Sequence, residues 1–439
     1  MTRITRALVL IIALAATASP AAASWTTVSG LVPGTATSAS LDGPRVLVSS
    51  LANGRRVQLT TIVGDRVAKR QTLTTAGRSG TVRHLQVARL RGGRALAIWQ
   101  EPGVVKASLR RSAGVPFSPA VTVSRFPGVA TGAAIRPVLT VTPTGEAVVV
   151  WIGGPAGGRL GIQASSLAPG TTSWSAPVDV AGGALPQISG VGLGAPLPLS
   201  AATDNAGGVV VAWGAPASDP ARSSLDIVGA VRSPDGAWGT PVRVGAGGPP
   251  LAVAATAPGD AVAAWQDGAC VAAATLRGVA VTPATVSCHP GASVGQLALS
   301  RTPYGNAILA AEFIPQPFPT AGAPFVETAA RSIGGGPWSA PIVPIALPAD
   351  LGGIAQGSAF RTAVAATVAR GAQFNGVRVV ILNEQGTLLR RIGGPAMPTP
   401  PRNTSVRVLP LGPGARVALL LTPEPTLTSS RLSILTLEP

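Results

Sequence analysis

Residues that could perform chemistry are scarce in this 439-residue chain, which contains two histidines, one tyrosine and two cysteines. Residues 291–295 spell GASVG, the G-x-S-x-G pattern of serine hydrolases, and His289 is close by in sequence. That nucleophile requires a sharp turn from a strand into a helix. Here the pattern falls between two predicted strands, in a chain without a convincing helix, so we interpret the match as chance and assign no catalytic residue.

Carboxylates beside predicted loops form a second group of candidates. Asp267 and Glu312 follow the second strands of neighbouring repeats, where they would suit the paired acids of glycoside cleavage. The alternative interpretation is that both are solvated loop side chains. We also consider Asp219, in a long loop of the same kind, and Glu101. The ligand-binding candidates are therefore Asp267, Glu312, Asp219 and Glu101.

The two cysteines indicate a disulfide. Cys270 opens a predicted third strand and Cys288 closes the fourth, so the hairpin between them brings the two side chains opposite each other. In an exported chain such a pair is expected to be oxidised. Because His84 and His289 are the only histidines, we expect no metal site, and we expect no cofactor.

Residues 198–244 define the unit that positions these side chains. The segment contains four short apolar runs separated by turn residues such as Asp204-Asn205-Ala206-Gly207. Four antiparallel strands per repeat are typical of a β-propeller blade. The predicted second strands of successive units are centred near Leu47, Ala97, Val149, Val211, Ala263, Ala310, Ala365 and Ala418.

We therefore predict an all-β fold, a single closed β-propeller of four-stranded antiparallel blades. Eight blades are preferred, and seven is the alternative because the first and seventh units are degenerate. The last unit has three strands, and residues 25–30 supply a lone strand that would complete it. This pairing would close the ring and remove an exposed sheet edge. Four tryptophans at equivalent second-strand ends are expected to fill the layers between blades: Trp99, Trp151, Trp213 and Trp265.

The turns before the fourth strands carry a family resemblance. Ser233, Asp235, Gly236 and Trp238 resemble, with shortened spacing, the Asp-box S-x-D-x-G-x-x-W of sialidase-like BNR-repeat propellers. The resemblance implies their fold, and in that family the box is a folding element remote from the active site. Sialidases use a nucleophilic tyrosine. The sole tyrosine, Tyr304, lies in a predicted turn on the opposite face, so the resemblance implies a non-enzymatic member.

The N-terminus predicts export. Two arginines precede the apolar run ALVLIIALAA and a small-residue cleavage site, so we assign residues 1–23 to a signal peptide and 24–439 to the propeller. The apolar run is too short for a membrane span of roughly 20 residues. The mature chain is expected to be a secreted, soluble monomer that binds a protein or glycan ligand without catalysis. The alternative is a glycan-active enzyme.

The chain is strongly basic, with 34 Lys and Arg against 17 Asp and Glu. The excess lies at the two ends of the mature chain, which ring closure would make adjacent. Such a sector would attract anionic polymers or lipid head groups, although arginine-rich codon usage is the alternative explanation. No motif supports sequence-specific nucleic-acid recognition. The anion-binding candidates are Arg55, Arg56, Arg110, Arg111, Arg390 and Arg391.

Overall fold

The computed structural model is all-β, as predicted. Its described residues contain 31 strands and one three-residue 3-10 helix, Arg91–Gly93. The structure describes residues 23–29, 32–42, 44–75, 81–124, 133–154, 161–180, 197–217, 224–277, 280–302, 304–333, 335–356, 362–370, 373–394, 405–410, 416–422 and 429–437.

The strands are numbered in chain order. The N-terminal part contains β1 (Ala23–Thr27), β2 (Val32–Pro33), β3 (Thr35–Asp42), β4 (Arg45–Ala52), β5 (Arg56–Val63), β6 (Arg66–Thr75), β7 (Arg83–Arg89), β8 (Ala95–Glu101), β9 (Val104–Arg110), β10 (Val121–Thr122), β11 (Ala133–Val141), β12 (Ala147–Gly154), β13 (Gly161–Leu167) and β14 (Val178–Asp179). The middle contains β15 (Leu199–Thr203), β16 (Val209–Pro216), β17 (Leu225–Arg232), β18 (Val242–Ala257), β19 (Asp260–Asp267), β20 (Cys270–Arg277), β21 (Ala280–Cys288), β22 (Ala292–Arg301), β23 (Ala307–Pro315) and β24 (Phe325–Arg331). The C-terminal part contains β25 (Ala349–Gln356), β26 (Thr362–Arg370), β27 (Gln373–Leu382), β28 (Leu388–Gly393), β29 (Ser405–Pro410), β30 (Arg416–Thr422) and β31 (Ser429–Leu437).

The strands form antiparallel blades in a propeller arrangement, but the predicted number of blades is wrong. Five separate sheets have a four-strand path, rather than the eight predicted: β3–β6, β7–β10, β11–β14, β25–β28, and β29–β31 joined by β1. Strand β18 runs unbroken from Val242 to Ala257, pairing with β17 and then with β19, and so merges β15–β21 into one seven-stranded sheet. Strands β22–β24 form a three-stranded sheet, and beside β24 lie only isolated bridges such as Arg331–Trp338.

The N-terminal strand closes the ring, as predicted. Strand β1 pairs antiparallel with β31, from Ala23 opposite Leu437 to Thr27 opposite Ser433. The last sheet thereby combines strands from both ends of the chain, and the outer edge of β31 is covered.

The core lies between neighbouring sheets, and the second strands are the most deeply buried. All eight residues of β12, AVVVWIGG, are buried because both faces of this strand are covered. Trp99, Trp151, Trp213 and Trp265 are at most 2% exposed, which confirms that they pack between blades. Outer strands are more polar, as in β28, LLRRIG, where one of six residues is buried.

Turn chemistry separates the strands as the sequence predicted. In the turn before β16, one carboxylate oxygen of Asp204 accepts hydrogen bonds from the backbone N–H groups of Ala206 and Gly208, both at 2.8 Å. Gly207 adopts a φ of 99°, which glycine tolerates best. We call the side with these first-to-second and third-to-fourth turns the lower face. The opposite side, where second strands connect to third strands, is the upper face.

Candidate functional site

The first strands of several sheets are bulged near their starts, on the upper face, and two of these bulges hold side chains at positive φ. In the sheets β7–β10 and β11–β14, one extra residue is inserted near the start of the innermost strand. His84 lies in the first bulge with a φ of 50°, and Arg136 lies in the second with a φ of 53°. Left-handed backbone costs a residue with a side chain roughly 1 kcal/mol or more. The fold therefore holds a histidine and an arginine in an unfavourable conformation at corresponding places on adjacent sheets.

Hydrogen bonds to the neighbouring sheets hold Arg136 in place. Its backbone N–H donates to Oε1 of Gln100 at 3.0 Å, and Gln100 lies at the end of β8 in the preceding sheet. Its Nη1 donates to the carbonyl of Leu197 at 2.8 Å, which leads into the following sheet. A guanidinium has five N–H donors, and among the described residues this group makes one hydrogen bond.

The electrostatics around this pair are one-sided. The pKa of His84 is lowered by partial burial and then by the positive charges of Arg136 and Arg83. Burial also lowers the pKa of Arg136. Among the described residues, no carboxylate contributes to either shift. His84 is therefore a neutral imidazole at neutral pH, next to guanidinium groups. We call Arg83, His84 and Arg136 the His84–Arg136 site; the histidine keeps part of its surface exposed, and Arg136 is half-buried.

A second arrangement of polar groups lies between β21 and the sheet β22–β24. Nε2 of His289 contacts Oε1 of Glu327 at 2.8 Å and Oγ of Ser287 at 3.2 Å. Ser287 donates to Oε2 of the same carboxylate at 2.6 Å. In a catalytic triad the serine and the carboxylate use different imidazole nitrogens. Here both contact Nε2, and the imidazole ring packs edge-on against Phe313, with 4.4 Å between the ring centres. This geometry indicates a structural cluster and not a catalytic triad.

The serine of the G-x-S-x-G string has no nucleophile geometry. Ser293 lies within strand β22 and accepts a hydrogen bond from Nε2 of Gln316 at 3.0 Å. There is no strand-to-helix turn at this position, and the interpretation of the string as chance stands.

Glu312 is not the solvated loop residue that the sequence suggested. It lies within β23, is 3% exposed, and faces Asp350 at the start of β25. Burial, and then the nearby charge and hydrogen bond of Asp350, raise the pKa of Glu312 to about 7. Because Phe313 points the other way, into the core shared with β19 and β20, Glu312 faces away from the sheet that contains Asp267. Asp267 is exposed at the end of β19.

The other carboxylate candidates and the tyrosine are elsewhere. Glu101 is half-buried and accepts a hydrogen bond from Nε1 of Trp99 at 2.9 Å. Asp219 lies outside the described residues. Tyr304 is 56% exposed in the turn between β22 and β23, on the lower face, as predicted.

The predicted basic residues do not form one solvent-exposed group. Arg110 is 3% exposed, its Nη2 donates to the carbonyl of Gly93, and its guanidinium lies 5.7 Å from the Phe117 ring centre. Arg110 therefore does not project into solvent with the other arginines of the basic sector, because its side chain packs on Phe117. Arg55, Arg56, Arg111, Arg390 and Arg391 are exposed.

Sequence reasoning missed the His84–Arg136 site. The two residues are 52 positions apart, close to one repeat length, but the predicted repeats were aligned on their second strands. Aligning the bulged starts of the first strands would have placed His84 and Arg136 at the same position. Their positive φ angles had no signal in the sequence, since neither residue precedes or follows a glycine.

The solved structures with similar folds include two polysaccharide lyases and a sialidase. Polysaccharide lyase Uly1 has a TM-score of 0.53 at 10% identity, covering 91% of this chain and 89% of that chain. An ulvan lyase of a new polysaccharide lyase family, bound to -[GlcA(1-4)Rha3S]-, has a TM-score of 0.50 at 9% identity, covering 93% of both chains. Hadza microbial sialidase Hz136 has a TM-score of 0.41 at 13% identity, covering 87% of this chain and 73% of that chain.

The fold is that of a β-propeller, and the two lyases share it. No protein-family model and no curated protein matches the sequence. Within the described ranges, no helix has the length and apolar character needed to cross a membrane. The same part of the chain has no group of three or more His, Cys, Asp or Glu side chains arranged to hold a metal ion.

Proposed function

We propose that this protein binds an acidic polysaccharide on its upper face, through the His84–Arg136 site. The observation that carries the proposal is the pair of matching bulges, which hold a histidine and an arginine at positive φ on adjacent sheets. Strain of this kind persists where the surrounding fold enforces it, and it is concentrated at binding and catalytic sites.

The chemistry of the site favours an anion. Arg83 and Arg136 both act on His84 with positive charge, and no described carboxylate offsets them. A guanidinium binds a carboxylate or sulfate through two parallel N–H···O bonds. A neutral imidazole can donate to a sugar hydroxyl or accept from one. An acidic sugar offers both kinds of partner within one residue.

The fold comparison is consistent with this class of ligand. One similar structure is a lyase bound to -[GlcA(1-4)Rha3S]-, whose sugars carry a carboxylate and a sulfate. At 9% identity the likeness transfers no residue, so the proposed site rests on this chain's own side chains.

We propose that binding takes place outside the cytoplasm. The Cys270–Cys288 disulfide supports this location because such bonds persist in oxidising compartments. The predicted signal peptide, residues 1–23, supports it independently.

The test is a binding titration with a polysaccharide that contains glucuronate and sulfate groups, and with an uncharged polysaccharide of similar length as control. Arg136→Gly removes the guanidinium and places at φ 53° the residue that tolerates this conformation. We expect it to reduce affinity about tenfold or more, as loss of a charge-assisted, bidentate contact does. Arg66→Ala, at an exposed arginine beside the turn between β5 and β6 on the lower face, should have little effect. Equal losses in the two variants, or equal binding of the uncharged polymer, would contradict the proposal.

A second candidate function is cleavage by β-elimination, which the lowered pKa of His84 favours. A neutral imidazole beside Arg136 could remove the proton next to a uronate carboxylate while the arginine neutralises that carboxylate. The electron pair left on carbon forms a double bond as the C–O bond to the next sugar breaks, and the leaving oxygen takes a proton from water. The unsaturated product absorbs ultraviolet light. Its accumulation in the parent and loss in His84→Gly would establish a lyase, whereas saturable binding without product would establish a binding protein.

A further inference from the structure

A pocket opens on the lower face between the sheets β3–β6 and β7–β10. Its volume is about 220 Å³. The pocket lies at the ends of β5 and β9, on the side of the molecule opposite the His84–Arg136 site. It is lined in part by Arg45, Leu59, Lys69, Arg110, Val115 and Phe117.

The charged side chains in the wall of this pocket are all cationic. Arg45, Lys69 and Arg110 belong to three different strands, β4, β6 and β9, and no Asp or Glu is among the lining residues. Like charges gathered in a concave, partly desolvated site raise the local potential and attract an anion. The hydrogen bond to the carbonyl of Gly93 and the packing against the Phe117 ring fix the position of the Arg110 guanidinium.

The rest of the wall is apolar. Leu59 and Phe117 are 3% and 8% exposed, which fixes their positions in the core between the two sheets. Val115 is 44% exposed at the opening, in the turn that follows β9. A ligand inside would therefore place one end against cations and its body against aliphatic and aromatic carbon.

We infer that this pocket binds a small organic anion that carries one ring, such as an aromatic carboxylate. A cavity of roughly 150 Å³ accommodates benzene in another protein, so about 220 Å³ leaves room for a ring with one carboxylate. The cations would hold the carboxylate, and the ring would lie against Phe117 and Val115. This inference is independent of the proposed polysaccharide function, because the two sites share no residue.

The chain provides a direct probe of occupancy, since Lys69 and Lys106 are its only lysines. Lys69 lines the pocket, whereas Lys106 bonds to Thr122 and does not line it. The full protein would be acetylated with a limiting reagent, with and without sodium benzoate, and the modified lysines quantified by mass spectrometry. Benzoate should protect Lys69 in a saturable manner and leave Lys106 unchanged. Benzamide, which has the same shape without the charge, should require about tenfold higher concentration.

Substitutions at the pocket opening separate binding from folding. Val115→Asp introduces a negative charge at the entrance, and Val121→Asp introduces the same charge at a 48% exposed position of the same sheet outside the pocket. We expect Val115→Asp to abolish the protection of Lys69 and Val121→Asp to preserve it. Lys69→Gln, tested by calorimetry, should weaken benzoate binding about threefold. The inference fails if benzoate gives no protection, if benzamide or inorganic sulfate protects equally well, or if the two aspartate variants behave alike.

Discussion

The carboxyl group of Glu312 on β23 faces the carboxyl group of Asp350 on β25, across the interface between two sheets, and Glu312 is 3% exposed. Two neighbouring carboxyl groups in a buried place resist ionising together, so one of them keeps its proton to a higher pH. The corresponding residue of an earlier sheet, Gln100, accepts a hydrogen bond from the backbone N–H of Arg136 at 3.0 Å. Glu312 is therefore an acid at a position where another sheet has an amide.

This pair predicts that stability falls as pH rises. The folded-state pKa of Glu312 is about 7, against 4.5 for the free side chain, so the folded protein binds the proton more tightly than the unfolded chain. The resulting stability is present below pH 4.5 and is lost as pH rises through about 7, by up to about 3 kcal/mol. Glu312→Gln keeps the acceptor and supplies a permanent donor. Urea unfolding at pH 5 and pH 8 should show the variant to be more stable than the parent at pH 8 and similar to it at pH 5.

Glu101→Gln is the matched control, since Glu101 accepts its hydrogen bond from Trp99 and an amide can do the same. This variant should retain the pH dependence of the parent. If Glu312→Gln and the parent lose the same stability between pH 5 and pH 8, the proton retained by Glu312 is not the cause.

Ring closure predicts the effect of removing β1. The five residues Ala23–Thr27 pair with β31, and their deletion would expose that strand's edge. A protein starting at residue 28 should melt at lower temperature or associate, as measured by calorimetry and light scattering. A protein starting at residue 24, the first residue after the predicted signal peptide, is the reference. Identical melting of two monomeric proteins would mean that β1 contributes nothing to closure.

The disulfide predicts a redox-dependent stability. Cys270 and Cys288 face each other at the ends of β20 and β21, 18 positions apart in sequence. Closing a loop of this size contributes about 3 kcal/mol at most, and less if the hairpin persists in the unfolded chain. The double variant Cys270→Ser, Cys288→Ser should unfold at a lower urea midpoint than the oxidised parent does. Reductant should have no effect on the midpoint of the double variant. An unchanged midpoint would show that the strand pairing alone holds this hairpin.

The exposed arginines predict salt-sensitive retention on heparin. Arg55, Arg56 and Arg111 are exposed, whereas Arg110 of the original basic set is buried and is left unchanged. Replacing these three by glutamine should lower the salt concentration of elution. Replacing the exposed Thr172, Ser173 and Thr240 by aspartate changes the net charge equally and is the control. Equal shifts from both sets would show that total charge alone governs retention.

The sequence predicted what depends on local pattern. Alternating strands, turn residues such as Asp204, the packed tryptophans, the facing cysteines and the N-terminal strand were all identified, because each follows from composition, spacing or an unpaired edge. The number of separate blades was not predicted, since the continuity of β18 depends on its pairing with both β17 and β19 and not on a turn motif.

The functional residues were harder to predict because their properties arise from three-dimensional context. Glu312 was selected by sequence as a loop acid, but burial against Asp350 determines its protonation. Arg110 and Arg111 are adjacent arginines that the sequence does not distinguish, yet Arg110 is buried against Phe117 whereas Arg111 is exposed. His84 and Arg136 are distinguished by their backbone conformation and by proximity across two sheets, neither of which a single sequence reveals.

The most direct test of polysaccharide binding at the His84–Arg136 site compares two glycine substitutions at positive φ. Each variant is measured for both stability and binding. Arg136→Gly and Asn53→Gly both relieve left-handed backbone, but Asn53 is an uncharged side chain in an exposed turn, so its replacement removes no cation. We expect both variants to unfold within about 1 kcal/mol of the parent, since relief of strain offsets lost contacts and the added freedom of the unfolded chain. Only Arg136→Gly should lose affinity for the acidic polysaccharide, about tenfold or more. If the folded Arg136→Gly protein binds that polysaccharide as tightly as Asn53→Gly does, the His84–Arg136 site does not bind the polysaccharide.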